Sequence, residues 1–286
     1  MLLRKIIMKS IGYTVVGLFM LGLACGAITK AQRLEPDPKA ILRKMMNKYD
    51  SAKSYQDTGL VRITADQNLL KEHTDSANSG CLTCETVTLL TFKTYYSKPV
   101  RFRFEWKNLL QPSARKSMVW SDGNRAYRWM PEVSGDGTFE FVDSASLRFN
   151  LEWALKPTLG SIFLIPTLLM NDATFAPFSD TLRSATRTTI VGEQMVDGEI
   201  CFVIKAELTG VPWLLWIDKQ SYLLRKTRTT YSSGSFHDQL KGNGKRSVIA
   251  EEVHSDIKIN QKIPRSVFSY RPLLPKRKDD SRKRLF

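Results

Sequence analysis

Histidine and cysteine are scarce in this chain, with three of the first and four of the second among 286 residues. His73, His237 and His254 lie far apart, and no nucleophile elbow, phosphate loop or paired-carboxylate pattern accompanies them. Hydrolytic, zinc and nucleotide-phosphate sites need such groups at short, recognisable spacings, so those classes have no sequence support. Asp122 and Asp218 stand in turn sequences, where a short acidic side chain bonds its own backbone. Catalytic residues, cofactors and metal ligands are therefore expected to be absent, and no solenoid repeat is visible. Acids are also in deficit, 28 against 43 Lys and Arg, for a net charge of +15. That balance favours anionic partners such as phospholipid head groups, lipopolysaccharide or nucleic acid.

Residues 1–31 read as a secretory signal. Arg4, Lys5 and Lys9 precede an apolar run from Ile11 to about Ile28, and small residues follow. Cleavage after Ala27 or Ala31 fits, the second giving a mature chain that starts at Gln32. Two alternatives stay open. The run is long enough for an uncleaved anchor, which needs about 20 residues. Cys25 could instead carry a lipid, although Gly22 stands where a lipoprotein signal usually has Leu. Each reading puts the body outside the cytoplasm, in the periplasm, and export sets nucleic acid aside. Residues 32–275 read as one domain. The tail 276–286 is densely basic, from Lys276 to Arg284, and reads either as a disordered, solvated end or as an electrostatic foot on an anionic membrane.

Asp37 suits a helix N-cap and Pro38 the first helical position, with Ile41, Leu42, Met45, Met46 and Tyr49 forming one apolar face. Strands follow. Ser54–Ala65 and Thr86–Tyr96 enclose a polar stretch, 66–85. After the Ser97-Lys98-Pro99 turn, Val100, Phe102, Phe104 and Trp106 alternate with Arg101, Arg103, Glu105 and Lys107. This is the pattern of a strand with one wet and one apolar side. Met118–Trp120 and Ala126–Trp129 flank Ser121-Asp122-Gly123-Asn124, a hairpin signal. Phe139–Val142, Thr188–Val191, Ile200–Leu208 and Val253–Ile259 read as further strands, with Val253, Ser255, Ile257 and Ile259 on one face. Ser232–Ser247 reads as an exposed loop.

Between about 144 and 185 the pattern breaks into a dense apolar insertion with Phe163, Leu164, Leu168 and Leu169. Pro157, Pro166 and Pro177 allow only short helices there. These read as a lid or as a fixed layer over the sheet. The most apolar hairpin runs from Val211 to Ile217, turns at Asp218–Ser221, and returns through Tyr222–Lys226. Period-2 alternation puts Trp213, Leu215 and Ile217 on one face and Leu214 and Trp216 on the other. Both faces need cover, from helices, a second sheet or a lipid-like ligand.

Cys81-Leu82-Thr83-Cys84 is the one motif with redox promise. It lies in a polar loop before a strand, with no βαβ unit nearby, so a short structural disulfide between Cys81 and Cys84 is the better reading in an oxidising compartment. Zinc would need two further ligands, and only His73 is near. Cys201, between Ile200 and Phe202, reads as a buried small hydrophobe.

Taken in order, these pieces resemble the LolA-like family of periplasmic lipoprotein carriers and outer-membrane lipoprotein-sorting proteins. The resemblance rests on Lys98-Pro99 before Phe102, Phe104 and Trp106, and on Ser121-Asp122-Gly123 before Tyr127 and Trp129. It continues through Trp216-Ile217-Asp218-Lys219 and Asp256–Asn260, then Ile263-Pro264 and Val267–Pro272, and spans about 37–275. It implies an α+β, mostly β fold: a strongly curved antiparallel sheet, an incomplete barrel, with helices over its concave side and an apolar cavity. It implies no enzyme chemistry and, as ligand, a lipid or lipoprotein acyl chains. The expected cavity lining is Phe102, Phe104, Trp106, Trp120, Trp129, Phe163, Leu164, Leu168, Leu169, Trp213 and Trp216. The family's carriers place an arginine before the turn proline, where it bonds the lid helices and helps to gate them. Here that position is Lys98, a point charge without a planar fork. An envelope sensor or scaffold using the same fold for protein contacts is the alternative, with a thiol oxidoreductase behind it.

Overall fold

The computed structural model describes residues 36–66, 84–110, 116–131, 139–144, 164–170, 182–183, 185–208, 210–232 and 247–269. Residues 1–31 with Cys25, the basic tail, His73, His237, Cys81 and Phe163 lie outside the described residues, as does the side chain of Cys84. The Cys81–Cys84 pairing therefore does too.

Helix α1, Pro38–Asp50, starts at the proline, whose missing N–H costs nothing in a first turn. Its buried stripe is Ile41, Leu42, Met45 and Tyr49. The strands are β1 (Ser54–Asp66), β2 (Cys84–Ser97), β3 (Arg101–Asn108), β4 (Ser117–Ser121), β5 (Ala126–Pro131) and β6 (Phe139–Ser144). A short helix, α2 (Leu164–Leu169), comes next. It is followed by β7 (Thr186–Val196), β8 (Glu199–Leu208), β9 (Val211–Asp218), β10 (Leu224–Ser232) and β11 (Ser247–Ile259). All eleven strands form one sheet in the order β6-β5-β4-β3-β2-β1-β11-β10-β9-β8-β7. Every neighbouring pair is antiparallel. The order does not close on itself, so β6 and β7 are edges of an open sheet. The first half of the chain runs outward from the centre, β1 to β6, and the second runs inward from the other edge, β7 to β11, the two joined by the β1–β11 pair.

Turn chemistry sets the hairpins. Asp197 and Gly198 both take positive φ, 51° and 82°, the conformation that a two-residue hairpin loop needs. At the next hairpin the Asp218 carboxylate accepts the N–H groups of Gln220 and Ser221, each at 2.8 Å, and takes Arg225 on its other oxygen at 2.9 Å. Burial alone would raise the Asp218 pKa; hydrogen bonds from Ser221, Arg225 and Gln220 outweigh it and hold the carboxyl below its usual range. Asp122 does the same turn duty for Asn124 and Arg125, at 2.8 and 3.0 Å.

The core lies on one side of the sheet, called here the inner face, under α1 and α2. Tyr49 anchors α1 there. Its ring meets Tyr55 at 5.6 Å and its hydroxyl accepts the Leu224 N–H at 3.1 Å, so one helix bridges β1 and β10. All six residues of α2 are buried.

Candidate functional site

The register divides the expected lining residues between two faces. Phe102, Phe104 and Trp106 share the inner face with Tyr96, Thr94 and Phe92 of β2, their respective cross-strand neighbours. Phe92, Phe104 and Trp106 form an aromatic row with centroid spacings of 5.6 and 5.5 Å. Trp213 also looks inward with Leu215 and Ile217, as the alternation implies, and packs against the same core. Leu164, Leu168 and Leu169 lie against that core from α2. The inner face is thus apolar over β3 and again over β8 and β9, and the buried residues of α1 and α2 pack against it.

Trp120, Trp129 and Trp216 stand on the opposite, outer face. Pairing fixes this: Phe104 opposes Val119 and Arg103 opposes Trp120, so β4 turns its tryptophan away from the aromatic row. Trp129 pairs with Met118 on that same side. Trp120 stacks on Tyr127 at 5.1 Å and is only 2% exposed. Nearby, Arg103 donates to the Val267 carbonyl at 2.7 Å, which holds the C-terminal turn Arg265–Val267 to the outer face. Trp216 packs with Cys201 and Val203 in a small separate cluster. Its Nε1–H donates to Gln194 at 2.7 Å, and the Lys226 ammonium sits 4.7 Å from the ring. Cys201 is buried here, as its strand pattern implied, and burial pushes its thiol up to about 11.

Lys98 lies in the β2–β3 turn. Its ammonium donates to the carbonyl of Asp50, the last residue of α1, and its backbone N–H to Lys53 at 3.0 Å. A cation at a helix C-terminus complements the exposed carbonyls there. The residue ties the turn to α1.

Sequence reasoning missed the polar centre of the inner face. Asp57, Glu252 and His254 are 4%, 0% and 0% exposed. Asp57 Oδ2 accepts the Tyr55 hydroxyl at 2.7 Å and lies 2.8 Å from His254 Nδ1. Glu252 Oε1 is 3.2 Å from Nε2, within ion-pair reach but out of hydrogen-bond alignment. Burial disfavours a charged imidazole, yet the Glu252 charge and the hydrogen bond to Asp57 lift His254 to about 10. The Glu252 carboxyl is raised, mainly by burial. Four acceptor atoms among the described residues, Asp57 Oδ1, both Glu252 oxygens and Thr227 Oγ1, make no hydrogen bond.

His254 escaped notice because β11 carries a bulge. Asp256 has φ 52°, and the pairing slips between Gln56 and Thr58, so alternation breaks there. Ile257 and Ile259 lie against the core, but beyond the bulge it is His254, Glu252 and Ala250 that turn inward. Val253 and Ser255 fall on the outer face, contrary to the simple alternation. A signal did exist: Asp57 interrupts the otherwise apolar series Tyr55, Gly59, Val61 and Ile63.

Residues 167–274 match the family described as Predicted periplasmic protein (DUF2092). The stretch takes in β7 to β11 and the C-terminal turn. Its description names the periplasm, the compartment expected from the sequence. No curated protein matches the chain in sequence. Among solved structures, the chain is similar to the lipoprotein LppX of Mycobacterium tuberculosis, with 12% identity, 80% of this chain and 98% of that one covered, and a TM-score of 0.40. LprF from Mycobacterium bovis gives 13% identity, 80% and 97% coverage, and 0.40. A LolA superfamily protein from Nitrosomonas europaea gives 13%, 82% and 97%, and 0.33. Each is a distant likeness.

Proposed function

We propose that this is a non-enzymatic periplasmic protein that binds or carries a lipid or the acyl chains of a lipoprotein against the inner face of its sheet. The observation that supports it is a pair of apolar patches, Phe102, Phe104 and Trp106 on one side of the Asp57, Glu252 and His254 cluster and Trp213, Leu215 and Ile217 on the other, on an open sheet roofed by a 13-residue and a six-residue helix. Acyl chains would enter by displacing α2, whose buried side chains belong to the same core. Each CH₂ so shielded is stabilised by about 0.8 kcal/mol, a gain offset in part by the α2 side chains that leave the core. Titration with a fluorescent fatty acid tests this. Saturable binding with quenching of tryptophan emission is expected, reduced in Trp106→Phe; no saturable binding would refute it.

A second reading, an envelope scaffold, rests on a different observation. Met195 and Ile200 are cross-strand partners near the tip of the β7–β8 hairpin, yet are 70% and 53% exposed. Paired apolar side chains beside a free sheet edge suit contact with another protein. A stable partner in pull-downs, lost in Met195→Lys, would favour it.

A further inference from the structure

The outer face of β1, β2 and β3 carries a half-open cavity of about 340 Å³, at the small end of the range for ligand pockets. Phe92 and Trp106 of the aromatic row also border it, so it adjoins the acyl surface across the same strands, while its polar lining comes from the outer face. Thr91, Lys93, Glu105, Lys107 and Lys116 line it, with Leu60 as an apolar wall. Glu105, only 5% exposed, is already neutralised on both oxygens, by Arg103 on one and Lys116 on the other. Its charge is therefore spent within the wall. Lys93 directly opposes Glu105 and Lys107 opposes Thr91, which makes the two lysines diagonal neighbours across the β2–β3 pair. Such neighbours stand roughly 7–8 Å apart, close enough for two flexible ammoniums to converge on one group. Neither ammonium lies within ion-pair reach of a carboxylate among the described residues. An ordinary solvated strand face interleaves its charges; this one gathers three lysines and an arginine around one satisfied acid.

We propose that this cavity binds a phosphate-bearing group, with Lys93, Lys107 and Lys116 as its cationic contacts and the Thr91 hydroxyl as a donor. Lysine is a point charge with three rotatable donors, suited to a tetrahedral oxyanion with acceptors on every side; a planar carboxylate is better met by a guanidinium fork. The Leu60 wall and the lysine stems leave room for an apolar or glycerol attachment. A phosphate monoester in solution and a phospholipid head group share this chemistry.

The full chain separates the two sources. Glycerol 3-phosphate is titrated by calorimetry, and co-sedimentation is measured with phosphatidylglycerol and with phosphatidylcholine vesicles. Lys93→Ala with Lys107→Ala is compared with Lys205→Ala with Lys262→Ala, two exposed lysines away from the cavity that remove the same charge. Saturable glycerol 3-phosphate binding, weakened at least tenfold by the first pair alone, assigns a soluble phosphate ligand. Selective phosphatidylglycerol binding with the same tenfold, pair-specific loss, and no soluble binding, assigns a head group. Equal losses in both pairs, or binding of neither probe, overturn the proposal. Fatty-acid binding is measured on the same samples, so failure here and failure of the acyl-chain reading are told apart.

Discussion

Replacing His254 with leucine is expected to destabilise the fold by about 3–5 kcal/mol, the usual cost of leaving a buried charge without its partner. The imidazole stands between Asp57 and Glu252, 2.8 Å from one and 3.2 Å from the other, with all three closed to solvent. Leucine fills similar space and takes away the only cation among them, so two carboxyls remain in an apolar layer with four acceptor atoms already unpaired. Chemical denaturation at pH 7 reads the loss directly. The pH dependence carries the mechanism. The folded His254 pKa, about 10, lies above its ordinary 6.5, so its contribution is fully present below pH 6.5 and is lost as pH rises through about 10. The raised Glu252 carboxyl acts in the same sense from its own lower starting point. Wild-type stability should therefore fall between pH 6.5 and 10, and His254→Leu should flatten that slope. An unchanged slope would show that the cluster is not what titrates.

Gly59→Ala should cost about 3 kcal/mol, the upper part of the range for overpacked cores. A Cβ at Gly59 would stand 2.2 Å from Phe92 Cζ and 2.4 Å from the Val253 carbonyl oxygen. Neither neighbour yields easily. The carbonyl belongs to the β11 backbone, and the Phe92 ring is wedged between His254 and Phe104, 5.6 Å from each. Trimming the ring should return part of the loss, so Gly59→Ala with Phe92→Leu is expected to unfold at higher denaturant than Gly59→Ala alone. The backbone clash with Val253 keeps it short of wild type.

Much of the architecture was legible because turns and alternation agree. Asp-Gly at 197–198 marks a hairpin wherever it sits between alternating strands. The period-2 series of β3 groups Phe102, Phe104 and Trp106 correctly, and that of β9 groups Trp213 with Leu215 and Ile217. What alternation within single strands does not carry is which side two strands share. Trp120 and Trp129 are as apolar as Phe104, but the β3–β4 register turns them outward, where the stack of Trp120 on Tyr127 and the C-terminal turn occupy that side. Likewise one bulge at Asp256 exchanges the faces of β11 and brings His254 into the core. Lys98 was legible as a position beside a turn proline; its partner, the last carbonyl of α1, follows from how α1 crosses the sheet.

The central claim is that the inner face takes up acyl chains. Native protein purified from a periplasmic extract, without detergent, is extracted with organic solvent, and the extract is analysed by mass spectrometry against a heat-unfolded control. Acyl lipid in near-stoichiometric amount, lost in a Phe104→Asp variant shown by circular dichroism to stay folded, is the expected result. A wild-type extract with no more lipid than the control would contradict it.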